Sequence, residues 1–307
     1  MMENVFSGVM PTIKPKGKKM TVGQVVILAA LILLLFLTIV PIWLMLIKSV
    51  KSIDQGNHNP YTLTFPFSWD NYKLAWLNVS PYILNTIVIS LFTTFFSIFL
   101  CSLMAFGFTC FKFPGKNALF LCVLALTMIP SSLTLLPQYE LVNKFGLLDY
   151  YPSLFNPEKV SPTGPMAAVV LPLTAGQIPL GVMLLKTFYN GLPGDLFEAA
   201  ELDGASQLFR FFKIAVPLSL PITATLGLTA WMASWNDLIW STLVLRYDEV
   251  QTFTVALGSF TSDYYEKTHS WGVPLAAYVI CSLPLILIFA FTSKQFVSGL
   301  TSGAFKM

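Results

Sequence analysis

Residues Glu198 to Pro221 read EAAELDGASQLFRFFKIAVPLSLP, an island of charge between two apolar runs. Upstream, residues 160–185 hold no Asp, Glu, Lys or Arg, and downstream the next such run covers 214–236. Uncharged runs of this length are long enough to cross a bilayer as helices. The polar island must then sit in water between two crossings, and the rest of the chain repeats the pattern.

The whole sequence of 307 residues is 55% hydrophobic and only 11% charged, with a mean hydropathy of +0.70. A soluble domain of this size cannot bury so much apolar surface in one core. The composition therefore predicts an all-α, polytopic integral membrane protein. Six spans are expected, at about Val22–Ile47, Ile83–Phe111, Ala118–Leu141, Met166–Tyr189, Leu220–Leu245 and Val273–Thr292. The first follows Lys14, Lys16, Lys18 and Lys19, a basic start like that of a signal peptide. Its uncharged run from Met20 to Ile47 far exceeds a signal core, and it reads as a retained transmembrane helix.

An even number of spans puts both termini on one side. The first tail, the loop Lys112–Lys116, residues 190–219 and the last tail hold most of the Lys and Arg. The positive-inside rule places these segments, and both termini, in the cytoplasm. The expected organisation is a cytoplasmic tail at 1–21, a six-helix membrane domain at 22–292 with its cytoplasmic loop at 190–219, and a cytoplasmic tail at 293–307.

Several chemistries lack material. Cys101, Cys110, Cys122 and Cys281 all fall in apolar segments without metal-site spacing. His58 and His269 fall in separate polar loops, so no catalytic or metal-binding constellation is expected. A net charge of +3 gives no reason to expect nucleic acid. No G-x-x-x-x-G-K-[ST] phosphate loop is present, so the chain cannot hydrolyse ATP itself.

The charged island has a readable local form. Asp195 and Glu198 have the spacing of a capping box, which predicts a short helix starting near Leu196. Gly204 should end or bend it, since glycine adopts positive φ without steric cost. A second helical piece, Ala205–Ala215, should lead to Pro217. A bare solvated loop would need none of this spacing.

Glu198, Ala199 and Ala200, then Gly204, Ile214 and Pro217, resemble in register the EAA loop of bacterial ATP-binding-cassette importer permeases. That resemblance implies the type I importer permease fold in a bacterial cytoplasmic membrane. It implies that Glu198, Ala199, Ala200, Asp203, Gly204 and Ala205 contact an ATP-binding subunit as a coupling helix. Val216 stands where leucine is usual before the proline, a departure that keeps the apolar character.

A second segment, Ala233-Ser-Trp-Asn-Asp-Leu-Ile-Trp240, is similar to one found in sugar-importer permeases. Trp231 and Trp235 share a helix face. With Asn236 and Asp237 they would offer rings and polar edges to a sugar on a translocation path. The alternative is a hydrogen-bonded clamp between helices that touches no substrate. The end of the chain, Lys294 to Lys306, resembles the tail of the maltose-type permease subunit. There Gly299, Leu300, Ser302 and Gly303 would reach the ATPase subunits, whereas the plain reading is a frayed terminus.

The resemblance implies a permease subunit moving a sugar, an oligosaccharide in that family's pattern, and not an enzyme. Its expected partners are a second homologous permease, two ATP-binding subunits, an extracytoplasmic sugar-binding protein and membrane lipids. ATP and Mg would act on the ATPase subunits, and this chain would bind no cofactor. A non-sugar solute is the alternative within the class. An anionic one would call for Lys or Arg in the middle of the spans, where none occurs. An ion-driven secondary transporter would call for paired ionisable residues and inverted repeats. Here Asp237 is the one carboxylate away from the span ends.

Overall fold

The computed structural model describes residues 21–149 and 163–304, with side chains as far as 293. Among these residues the chain is helical and has no strand. The helices are α1 (Val22–Ser49), α2 (Ile53–His58), α3 (Asp70–Cys110), α4 (Lys116–Ala125), α5 (Ser131–Lys144), α6 (Thr163–Tyr189), α7 (Gly194–Leu202), α8 (Gln207–Arg210), α9 (Val216–Leu218), α10 (Leu220–Trp235), α11 (Ile239–Val244), α12 (Phe253–Thr268) and α13 (Gly272–Ala304).

Four helices, α1, α3, α6 and the Gly272–Ser293 part of α13, are long and apolar enough to cross a membrane. Two bent pairs bring the number to as many as six if each counts as one span. The first pair joins Lys116–Met128 to Ser131–Lys144 at 103°. The expected third span is therefore not one straight helix. Pro130 has no amide to donate and forces Ile129 into an extended conformation, with φ −83° and ψ 116°. The second pair bends by 79° between Gln207–Leu218 and Leu220–Trp235, where Pro217 and Pro221 flank a buried Ser219. The expected fifth span, Leu220–Leu245, is also interrupted, because α10 ends at Trp235 and α11 begins only at Ile239.

Helix α1 opens with a capping box. The Thr21 hydroxyl accepts from the Gln24 amide at 3.4 Å, and Gln24 Oε1 accepts from the Thr21 amide at 3.0 Å. Its span window is apolar all round and none of it is buried, the mark of a helix that faces lipid or another protein. The basic residues before it lie outside the described residues.

Helix α3 is the mast of the bundle. Its 41 residues, at a rise of about 1.5 Å each, exceed any bilayer core. It starts well before the expected Ile83. Buried Asn71 explains the early start, donating to the carbonyls of Ser49 at 2.9 Å and Lys51 at 2.8 Å. Along one face run Thr86, Ser90, Thr93, Ser97, Cys101 and Ala105, all fully buried. Small side chains at helical spacing let neighbouring backbones approach closely. Three core clusters line up along α3. The first joins its start to α10, α12 and α13; the second joins its end to α6 and the start of α10; the third joins its middle to α5, α6 and α11.

The expected tail from 293 begins as a continuation of the last spanning helix. Helix α13 runs without a break to Ala304. The side chains of Gly299, Leu300, Ser302 and Gly303 lie outside those described.

Candidate coupling loop and the α10–α11 junction

The charged island forms α7, α8, one π-helical turn (Phe211–Ala215) and α9 in succession. Helix α7 begins two residues earlier than the sequence suggests. Its N-cap is Pro193, and no side chain caps it. The expected capping box is thus not formed. Asp195 lies in the first turn instead, where its charge meets the positive end of the helix dipole.

The other end of α7 is specified by one residue. Gly204 has φ +77°. Its amide donates to the Glu201 carbonyl at 3.0 Å, and the Ala205 amide donates to the Ala200 carbonyl at 2.9 Å. This pair of bonds is a Schellman motif, which needs the left-handed conformation at the glycine. No atom lies within 4 Å of where a Cβ would sit. Backbone conformation, not crowding within this chain, therefore selects glycine here.

Two contacts hold the loop. Arg210 Nη1 meets Glu201 Oε2 at 2.6 Å, tying the end of α8 back to α7. Arg210 is buried and Glu201 largely exposed, so the pair fixes a geometry more than it adds stability. Behind α7, the Phe197 ring lies 6.5 Å from that of Phe106 on α3. Phe106 also meets Phe211 at 5.3 Å and Tyr189 at 6.4 Å. This aromatic knot joins the loop to α3 and α6. Phe106 and Phe197 carry the connection, and no sequence pattern singled them out.

The outward side of α7 has a different character. Asp195, Glu198, Ala199 and Asp203 are exposed, and Leu202 is 89% exposed. Leu208, Phe209 and Phe212, later in the same loop, are exposed as well. An apolar patch rimmed by carboxylates suits a protein partner with a complementary groove.

At the far end of α10, the structure brings together the four residues considered for a pathway. Trp231 and Trp235 stack, with ring centroids 5.8 Å apart and an interplanar angle of 16°. Trp235 also meets Phe253 of α12 at 5.0 Å. Both indoles are buried, Trp235 to 1% exposure, in the cluster shared by α3, α12 and α13. In this conformation their faces meet protein rather than an open path.

Asn236 caps α10 and is exposed, its side-chain amide donating to the Met232 carbonyl at 2.9 Å. Asp237 Oδ2 accepts from the Ser241 amide at 2.8 Å and from its hydroxyl at 2.7 Å. The Asp237 carbonyl accepts from Thr254 Oγ1 at 2.7 Å. Trp240 Nε1 donates to the Ala168 carbonyl at 2.9 Å. The junction thus ties α10, α11, α12 and α6 together. Ser241, Thr254 and Trp240 are partners that the sequence pattern did not reveal. Replacing Asp237 with Ala removes two bonds to a charged acceptor and is expected to cost about 1–2 kcal/mol. Asp237→Asn keeps an acceptor and should spare most of that. Melting of the purified variants checks the order.

Among the described residues no group of three His, Cys, Asp or Glu is placed to hold a metal ion.

Residues 97–301 match the family of binding-protein-dependent transport system inner membrane components. The chain is 31% identical to the arabinooligosaccharides transport system permease protein AraQ of Bacillus subtilis (strain 168), over 89% of this chain and 92% of that protein. It is 30% identical to the trehalose transport system permease protein SugB of Mycobacterium tuberculosis (strain CDC 1551 / Oshkosh), over 85% and 88%. It is also 30% identical to the maltodextrin transport system permease protein MdxG of Bacillus subtilis (strain 168), over 89% and 94%. In fold it is similar to a crystal structure of a bacterial ABC transporter involved in the import of the acidic polysaccharide alginate. The TM-score is 0.74 at 18% identity, over 91% of this chain and 99% of that one.

Proposed function

The chain belongs to the family of binding-protein-dependent transport system inner membrane components, and from that premise we propose that it is the permease subunit through which an ATP-driven importer moves an oligosaccharide. The observation that carries this reading is α7, whose outer face is acidic and apolar and whose inner face is anchored to the bundle through Phe197 and Phe106. A helix built this way passes motion from a partner to the membrane helices.

In this reading each bent pair is one span, giving six. Both termini and the α7 loop lie in the cytoplasm, by the distribution of Lys and Arg. The protein sits in a bacterial inner membrane beside a second homologous permease. Two ATP-binding subunits bind below and a sugar-binding protein docks outside. Glu198, Ala199, Ala200, Asp203, Gly204 and Ala205 form the surface held by an ATPase subunit. The end of α13, with Gly299, Leu300, Ser302 and Gly303, reaches towards the ATPase dimer. ATP and Mg²⁺ act on those subunits. Their closure pulls α7, and the aromatic knot carries the pull to α3 and α6. Asn236 and Asp237 edge the sugar's path, with Trp231 and Trp235 as the packed wall behind them.

Each step needs a ligand that binds one conformation better than the other. Nucleotide plays that part on the inside and the loaded binding protein on the outside. Similarity to permeases for arabinooligosaccharides, trehalose and maltodextrin supports a sugar. Uptake of labelled mono- and oligosaccharides by cells with and without this chain tests the reading. Oligosaccharide uptake that disappears with the chain is expected. Unchanged uptake of every sugar, with loss of a non-sugar solute, would overturn the substrate class.

A further inference from the structure

The end of α1 meets the turn between α12 and α13 around a cavity of about 50 Å³. That exceeds the roughly 10–15 Å³ needed by a single water. Lys48, Lys51 and His269 contribute to its lining, with Ser52, Ser270 and Gly272. The cavity is held by close packing: a Cβ on Gly272 would lie 2.8 Å from the Lys51 carbonyl and 2.6 Å from Asn71 Nδ2. Gly272 is also the first residue of α13, so the positive end of a long helix dipole adds to the site.

The charges here are out of balance. Lys51 is only 2% exposed, and its ammonium donates to the Asn59 carbonyl, one of three donors it carries. Lys48 lies over the Tyr61 ring at 5.3 Å. Neither lysine has a carboxylate partner: among the described residues the ion pairs are Lys73–Asp70 and Arg210–Glu201. Asp54, the carboxylate nearest in sequence, is exposed and does not line the cavity. Burial, and then the charge of Lys48, hold the Lys51 ammonium below its usual pKa. An anion in the cavity would relieve both lysines.

Position narrows the anion. Lys48 is the first charge after the long apolar run of α1, so the cavity lies at the membrane–water boundary. Exposed Tyr61 and Trp271 stand there as interfacial aromatics do. Phosphate groups are concentrated at that depth. We propose that this cavity binds a phosphate group, supplied either by an anionic lipid headgroup or as the free ion, clamped between Lys48, Lys51, His269 and the start of α13. Its occupant ties α1 to α13.

The test uses the full chain in its assembled importer, stripped of lipid in detergent. Phosphatidylglycerol is titrated in one arm and inorganic phosphate in another, with binding read by native mass spectrometry and by the shift in melting temperature. Lys51 is buried and its loss endangers the fold, so the variants are Lys48→Gln and His269→Asn. His269 has φ +51°, which asparagine tolerates. Each variant should bind about tenfold more weakly or worse, with unliganded melting unchanged. Binding in the lipid arm alone identifies a headgroup, and binding in the phosphate arm alone identifies the free ion. No saturable binding in either arm, or equal binding by wild type and both variants, would overturn the proposal.

Discussion

Gly181→Ala is expected to lower the stability of the bundle by about 1–3 kcal/mol, and Gly181→Val to prevent its assembly, because both overpack a filled core. A Cβ at Gly181 would sit 2.5 Å from Cys101 Sγ, 3.2 Å from Cys101 Cβ and 3.1 Å from Leu226 Cδ1. Cys101 and Leu226 are themselves fully buried on α3 and α10. None of the three helices can yield without opening the others. Gly176 lies on the same helix with nothing within 4 Å of its missing Cβ, and Gly176→Ala should be harmless. Cys101→Ala removes the 2.5 Å contact but not the 3.2 Å one, so the double variant should recover only part of the loss. Membrane-inserted yield and melting in detergent measure all four. Wild-type melting of Gly181→Ala would mean that the three helices are not so closely joined.

The contact explains what could and could not be read from the sequence. The spans α1 and α6 were legible because an uncharged run of that length has few other fates in a helical protein. The expected start of α1, Val22, and the expected end of α6, Tyr189, are the observed ones. The start of α3 was not legible. Residues 70–82 are mixed in character, and their helix depends on Asn71 satisfying two carbonyls of the α1–α2 connection. Pro130 was visible as a proline, but the sequence could not say whether neighbours would restore a straight helix or let Ile129 become extended.

The candidate site divides in the same way. The spacing of Glu198, Ala199, Ala200 and Gly204 is local, and so is the Schellman motif that Gly204 serves. The capping box was a local pattern too, yet the chain starts α7 at Gly194 after Pro193 instead. Proline has a fixed φ that suits the residue before a helix, and Asp195 then falls in the first turn, near the positive end of the helix dipole. Phe106 was hidden for a different reason. It is one of 26 phenylalanines, in an apolar helix where nearly any position accepts one. Only its meeting with Phe197, Phe211 and Tyr189 distinguishes it. The bonds from Ser241 and Thr254 to Asp237 likewise appear only once the helix break is formed.

The two faces of α7 make separable predictions about coupling. On the outer face, Leu202→Glu removes the most exposed leucine of the loop and adds a charge beside Asp203 and Glu201. If Leu202 enters a groove of the ATPase subunit, its burial contributes about 1.5–3 kcal/mol. Association should then weaken roughly ten- to hundredfold, and uptake should fall with it. Glu198→Lys should act in the same direction by reversing a charge at that surface. On the inner face, Phe197→Ala leaves the docking residues in place and removes the ring that meets Phe106. The ATPase subunit should still co-purify, while sugar uptake falls and ATP hydrolysis loses its stimulation by the loaded binding protein. Membrane-inserted yield provides the control, since α7 is short and lies outside the spans. Loss of association in Leu202→Glu with retained association but lost transport in Phe197→Ala is the expected pair. Normal uptake in both would remove α7 from the coupling path. Loss of association in Phe197→Ala as well would place the ring in the docking surface, leaving the aromatic knot no part in transmission.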